Sequence, residues 1–341
     1  MKRGSGCRAG AAVAGILFFV VRLCAQSPFQ FPTANHSLYQ VGDELKFFAP
    51  TAPAKPWTSG SFGCERNGGW RMHEGLDILH QQRDRRGDPT DPVLATADGT
   101  VVYFSRKPSL SNYGNYIILR HNIEGLEIYS LYAHLSEVRA YLKTGAPVKA
   151  GEGIGTMGRT SNAEGIARER AHLHFELNVL ANENFAAWFK KKNPGERNDH
   201  GGWNGQNFFG LDPREILIRE RNPVKKFSLL EFVRGQTELY RVQVRAVNFP
   251  YLKRYRGLIL KNPVSEKEGV AGYELVLNYN GVPFALLPRA ASEMKGAAKV
   301  QLLSVNEKEY RANPCRKLVA QRGSRWQLTE AGLRELDLLT Y

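Results

Sequence analysis

"AHLHFEL" occupies residues 171–177 and sets two histidines two positions apart inside an apolar run. Read as a strand, its alternation puts His172, His174 and Glu176 on one face and Leu173, Phe175 and Leu177 on the other. The apolar face calls for a core behind it, and the histidine face then looks into a cleft. Positions i and i+2 of a strand are about 7 Å apart. That spacing suits one metal ligand with a second imidazole beside it.

Working outward, the stretches "PVLATADGTVVYF" (92–104), "NYIILRH" (115–121) and "LEIYSLYAHLS" (126–136) alternate in the same way and are punctuated by Gly and Asn. Helical periodicity is scarce, so the fold class is mainly β. In "LYAHLS" alternation groups Tyr132, His134 and Ser136 opposite Leu131, Ala133 and Leu135. "MHEGLDI" (72–78) needs another geometry. On a straight strand His73 and Asp77 would stand about 13 Å apart, too far for one metal with bonds near 2 Å. Gly75 between them disfavours a helix and permits a bend, so His73 and Asp77 are candidate ligands on a turn. Glu74 invites comparison with H-E-x-x-H proteases, but Asp77 stands where the second histidine belongs.

A chain of 341 residues is long for one core, and two domains are expected. Residues 26–54 read as an extended lead-in, 55–222 as the histidine-bearing β domain, and 223–341 as a smaller β-rich accessory domain without histidine. In the latter, Asn280-Gly281 between apolar runs signals a hairpin, and "LTEAGLRELDLL" (328–339) a terminal helix. A β-sandwich or small barrel is expected there. Residues 182–210 read as a long basic, Gly/Asn-rich insertion.

Together "HEGLD", "YAHLS" and "HLHFE", in this order, resemble the lysostaphin/LytM-type family of zinc metallopeptidases, as do "DPVLATADGTVVYF", "YGNYIILRH" and "GAPVKAGEGIGTMG". The resemblance covers about residues 55–220. It implies a mainly antiparallel β-sheet peptidase domain of the duplicated hybrid motif-like type and one Zn2+ per chain. The implied metal ligands are His73, Asp77 and His174, and the implied catalytic histidines are His134 and His172; which of the two is the base stays open. The implied activity is hydrolysis of amide bonds in the stem or cross-bridge peptides of peptidoglycan. An envelope scaffold or regulator of wall amidases is the alternative, because some proteins of this fold have lost their ligands. The family's small residue before H-x-H is replaced by "EGIARERAHLHFE", whose Arg168 and Arg170 form a basic rim. Tyr132 and Glu176 are expected to face the same cleft, and Arg66 either contacts substrate or braces a turn.

The first residues differ from the rest. Lys2, Arg3 and Arg8 precede an apolar run from Ala9 to Val21, the pattern of a signal peptide, residues 1–25, cut after Ala25. Cys24 as a lipid-bearing cysteine is the less favoured reading. The expected location is exported, periplasmic or envelope-associated. The formal charge of +14 points to an anionic partner, here peptidoglycan or a peripheral envelope surface and not nucleic acid. The oligomeric state is open. Cys64 and Cys315 remain after cleavage and are candidates for one disulfide. Residues 27–60 are a candidate blocking segment, with Asn35 and His36 as its occluders.

Overall fold

A computed structural model describes residues 28–341 apart from 53, 163 and 164. The expected signal peptide and Cys24 lie outside the described residues. The chain is mainly β, and its named strands pair antiparallel. The first half supplies β1 (Gly63–Arg66), β2 (Arg71–His73), β3 (Leu76–Leu79), β4 (Pro92–Leu94), β5 (Gly99–Ser105), β6 (Asn115–Ile123) and β7 (Leu126–Leu135). β8 (Glu137–Val138), β9 (Pro147–Val148), β10 (Gly153–Thr156), β11 (His172–Leu180) and β12 (Phe208–Leu211) follow. Beyond residue 222 come β13 (Tyr240–Val244), β14 (Gly272–Leu277), β15 (Pro283–Arg289), β16 (Val300–Val305), β17 (Val319–Arg322) and β18 (Arg325–Leu328).

The main sheet runs β12-β11-β7-β6-β5-β9. β3 shares one edge of β11 with β12: it pairs with His172 to Phe175, and β12 with Leu177 to Leu180. One face of this sheet packs on the core through Leu173, Phe175, Leu177, Tyr132 and Ile117. The other carries a smaller apolar cluster, Tyr116, Ile118, Tyr129, Leu131 and Ala133, beside His174 and Glu176.

Alternation fails at one place on β7. The pairing steps two residues along β6, from Asn115 to Ile117, and three along β7, from Leu135 to Tyr132. This bulge is accompanied by a left-handed backbone at His134, φ 63°. Tyr132 and Leu135 therefore share the core face, whereas Ala133 belongs to the other. Tyr132 does not face the cleft as expected; its phenol oxygen accepts from Thr96 N at 2.8 Å. Ser136 is directed to Met157 O.

The lead-in is packed, not free. Phe29, Phe31, Phe47 and Phe48 are buried in the main core, Phe48 bridges to Ile78, and Ala49 N donates to Asp77 O at 2.8 Å. Asn35 is buried and donates to the carbonyls of Lys46 and Leu79; His36 stacks near Phe31. Neither occludes the cleft, which corrects that expectation. Asn35 spends its polarity on backbone groups instead. The insertion contains a helix, Phe185–Lys192, seated through Phe185, Trp188 and Phe189.

Past residue 222 the strand order β15-β14-β13-β16 is open. Neither sandwich nor barrel forms. Beside it stand a two-stranded sheet, β17-β18, and short helices that include Leu229–Arg234, Pro250–Arg254, Pro263–Glu268 and Glu330–Leu339. Two of them begin on Pro, which suits a first helical turn. The Asn280-Gly281 hairpin is present with a longer connection, Asn278 N donating to Val282 O. Both halves contribute to one apolar core, and Cys64 is disulfide-bonded to Cys315. Lys317 also lies over the Trp70 ring at the tip of the β1–β2 hairpin.

Replacing both cysteines by serine is expected to lower the unfolding free energy by about 2–5 kcal/mol. Urea melts of the oxidised protein and the double variant measure this; coincident midpoints would show that the cross-link braces nothing.

Candidate metal centre

His73, Asp77 and His174 come together with their ligand-type atoms within 4.8 Å of one another. Asp77 and His174 are direct partners across β3 and β11, so they share a face. His73 arrives from β2 after the chain bends at Glu74-Gly75. Gly75 is required by close approach: a Cβ there would stand 2.3 Å from the Phe175 carbonyl oxygen. The bend inferred between His73 and Asp77 is thus observed.

The two nitrogens and one oxygen converge as lone pairs. His73 Nε2 to Asp77 Oδ1 is 3.0 Å, His174 Nδ1 to Asp77 Oδ1 is 2.9 Å, and His73 Nε2 to His174 Nδ1 is 3.2 Å. Ligands at 2.0–2.1 Å around a tetrahedral ion lie about 3.3 Å apart, so these separations need only a few tenths of an ångström to admit one. The far sides of the rings are already committed. His73 Nδ1–H donates to Ser61 O at 2.7 Å, and His174 Nε2–H to Glu176 Oε1 at 2.8 Å. Each tautomer consistent with these partners turns a bare nitrogen toward the centre. Glu176 is held in turn by the Tyr113 hydroxyl at 2.7 Å and by Asn178 Nδ2 at 2.8 Å. Arg66 donates to Asp77 Oδ2 at 2.6 Å, which leaves Oδ1 for the centre. The donor set fits a divalent transition metal.

The electrostatics of the ion-free site differ at one nitrogen, His174 Nδ1, which holds a proton that a bound cation would displace. Burial pushes Asp77 up, but His73 and His172 beside it, with hydrogen bonds from His172 and His174, hold it well below the usual carboxylate range. Burial pushes His174 down, yet its bonds to Asp77 and Glu176 lift it to about 9. Burial, ahead of all else, lowers His73. Asp77 is the anion at the centre, and Arg66 balances its outer oxygen.

His134 and His172 stand beside the trio, their ring centroids 5.0 Å apart. Both tie Nδ1 to a backbone carbonyl, His134 to Thr160 at 2.9 Å and His172 to Arg170 at 2.6 Å. Their Nε2 atoms are left to the cleft, with that of His172 3.4 Å from Asp77 Oδ1. Burial, then His172 and His174, push His134 well below the usual imidazole value, so it is neutral near pH 7. Gly114 lets Thr160 approach: a Cβ there would lie 2.3 Å from the Thr160 oxygen.

Asp77, His134, His172 and His174 line one open groove of ≈ 560 Å³, with His73 buried behind them. Sequence reasoning passed over Tyr113, Arg71 and His200, which line it too. His200 sits in the Gly/Asn-rich insertion, accepting from the Tyr103 hydroxyl and donating to Leu110 O; a lone histidine in such a loop carried no spacing signal. Of the basic rim, Arg170 reaches the groove, whereas Arg168 turns away to Asp88.

Residues 71–186 match the family model described as Peptidase family M23. This segment is a peptidase family M23 domain. Two relatives are similar to about a third of the chain. "DD-carboxypeptidase/endopeptidase Mpg" of Neisseria meningitidis is 36% identical over 110 residues, 32% of this chain and 21% of that protein. "Murein hydrolase activator NlpD" of Escherichia coli is 35% identical over 117 residues, 34% of this chain and 24% of that protein. The chain therefore spans about a fifth to a quarter of these relatives' lengths. Among solved structures, the catalytic domain of lysostaphin from Staphylococcus simulans covers 50% of this chain and 88% of its own at 24% identity and a TM-score of 0.27.

Removing the Glu176 carboxylate by Glu176→Gln should weaken the apparent affinity for Zn2+ or Co2+ by about 10- to 100-fold, measured by chelator competition. Unchanged affinity would mean that Glu176 does not act through His174. Because His134 is left-handed, His134→Gly should exceed His134→Ala in stability by about 1 kcal/mol, the reverse of their usual order inside a strand; thermal melts of the two decide it.

Proposed function

We propose that the protein is an exported, zinc-dependent endopeptidase that hydrolyses amide bonds in the stem or cross-bridge peptides of peptidoglycan. The observation that carries this reading is the convergence of His73, Asp77 and His174, with Asp77 and His174 opening onto a groove that His134 and His172 also line. The M23 match and the name of the Neisseria relative, an endopeptidase, support the reaction class. A single zinc ion would be held by His73 Nε2, Asp77 Oδ1 and His174 Nδ1. When bound, it supplies Lewis acidity to the scissile carbonyl and makes water acidic enough to ionise near neutral pH.

The chain's own residues do the rest. The groove positions an extended peptide between the β1–β2 hairpin and the 200–206 segment. His134 and His172 present Nε2 to the reacting atoms, one accepting the proton of the attacking water and the other donating to the developing oxyanion or to the leaving amine. Their anchored Nδ1–H groups keep both nitrogens aimed without reorganisation. Arg66 holds the Asp77 carboxylate in place. Residues 223–341 form, in this reading, an accessory region that braces the M23 domain. Peptidoglycan is the partner, and the periplasm or envelope is the location.

The name of the Escherichia coli relative favours a second reading, activation of murein hydrolases. Every implied ligand and both implied catalytic positions are present here, which favours the enzyme. A mass-spectrometric digest of purified peptidoglycan, with and without a zinc chelator, separates the two. New peptide termini should appear only with metal, and His134→Ala should slow their release by about 10²- to 10⁴-fold while zinc stays bound. Intact peptidoglycan in the presence of zinc-loaded protein would favour the activator.

A further inference from the structure

Three arginines line the groove: Arg66, Arg71 and Arg170. Arg66 is spent on Asp77 Oδ2 and the Ser59 carbonyl. The other two are not spent. Arg71 is exposed, and among the described residues its guanidinium meets no partner. Arg170 places Nε on the Pro50 carbonyl at 3.3 Å, which leaves both terminal nitrogens without a partner among the described residues. Arg168, two positions earlier, shows the contrast: it is paired with Asp88, as is Arg159. Two acidic residues line the groove. Asp77 belongs to the metal centre, and Glu74 lies on the boundary with a neighbouring chamber that it shares with Glu176 and Gln206.

The positions of the two free arginines are informative. Arg71 precedes His73 by two residues on β2, and Arg170 precedes His172 by two, its carbonyl receiving His172 Nδ1–H. Two residues of chain span at most about 7 Å, the reach of about two residues of an extended peptide lying in the groove. Arginine is also the side chain whose planar donors match a carboxylate in a bidentate fork.

We propose that Arg71 and Arg170 form a carboxylate-binding subsite, so that the peptide taken by this groove carries an anionic group within about two residues of the bond that is cut. This rests on the peptidase reading for the cut, but not for the binding. The subsite selects acidic peptides over neutral cross-bridges such as oligoglycine.

The test uses fluorescein-labelled soluble stem peptides with free carboxylates, beside the same peptides amidated at those carboxylates. Binding is read by anisotropy on the full-length mature chain without metal, and cleavage on the zinc-loaded protein. The free-carboxylate peptides should bind at least tenfold tighter. Arg71→Gln and Arg170→Gln should each erase most of that preference, while Arg71→Lys and Arg170→Lys restore part of it. In cleavage the preference should appear in KM and not in kcat. Equal binding of acidic and amidated peptides by the wild type, or a preference that survives both glutamine variants, overturns the subsite. Selective binding without cleavage of either peptide sustains the subsite and removes the peptidase reading instead.

Discussion

Everything at the centre of this protein depends on one oxygen. Asp77 Oδ1 is approached by His73, His174 and His172 at 3.0, 2.9 and 3.4 Å. Atoms with lone pairs do not crowd in this way unless a proton or a cation lies among them. The surrounding fold works to maintain that crowding. The β3–β11 pairing fixes two of the groups in register, Gly75 lets the chain turn tightly enough to bring in a third, and Arg66 immobilises the second carboxylate oxygen. Behind the imidazoles, Ser61 O, Glu176 and, beyond it, Tyr113 take up every remaining direction of freedom.

Much of this was legible in the residues. Strand alternation in "AHLHFEL" put His172, His174 and Glu176 on one face, and all three take part in the centre. The distance argument for His73 and Asp77 required a bend, and the glycine between them marked where it falls. What alternation could not reveal was the bulge at His134. A period of two assumes an uninterrupted ladder, and the extra residue on β7 sends Tyr132 to the core while turning His134 to the groove. Nothing in "LYAHLS" announces it, because the left-handed conformation falls on a histidine and not on a glycine.

The remainder of the fold was less visible for a related reason. The Phe185–Lys192 helix hides inside a stretch whose Gly and Asn content reads as loop. Beyond residue 222 the α-helices other than the expected terminal one, Glu330–Leu339, are five or six residues long, too short for a periodic signal. The lead-in looked extended because its aromatics are irregularly spaced. They dock individually into a core already built by the sheet, and Ala49 then steadies the backbone of Asp77. Arg71 and Tyr113 carry no motif at all; they matter through where neighbouring strands put them.

The disulfide has a consequence for the order in which the molecule can be finished. Cys64 precedes Arg66 by two residues on the hairpin that walls the groove, and its partner lies 251 residues further along the chain. The sheet bearing the histidines uses no strand later than β12 (Phe208–Leu211), so it can assemble before the C-terminal residues are made. The hairpin cannot receive its covalent anchor until almost the whole polypeptide has emerged and reached an oxidising environment. Completion of the groove is therefore a late event, paced by the far end of the chain.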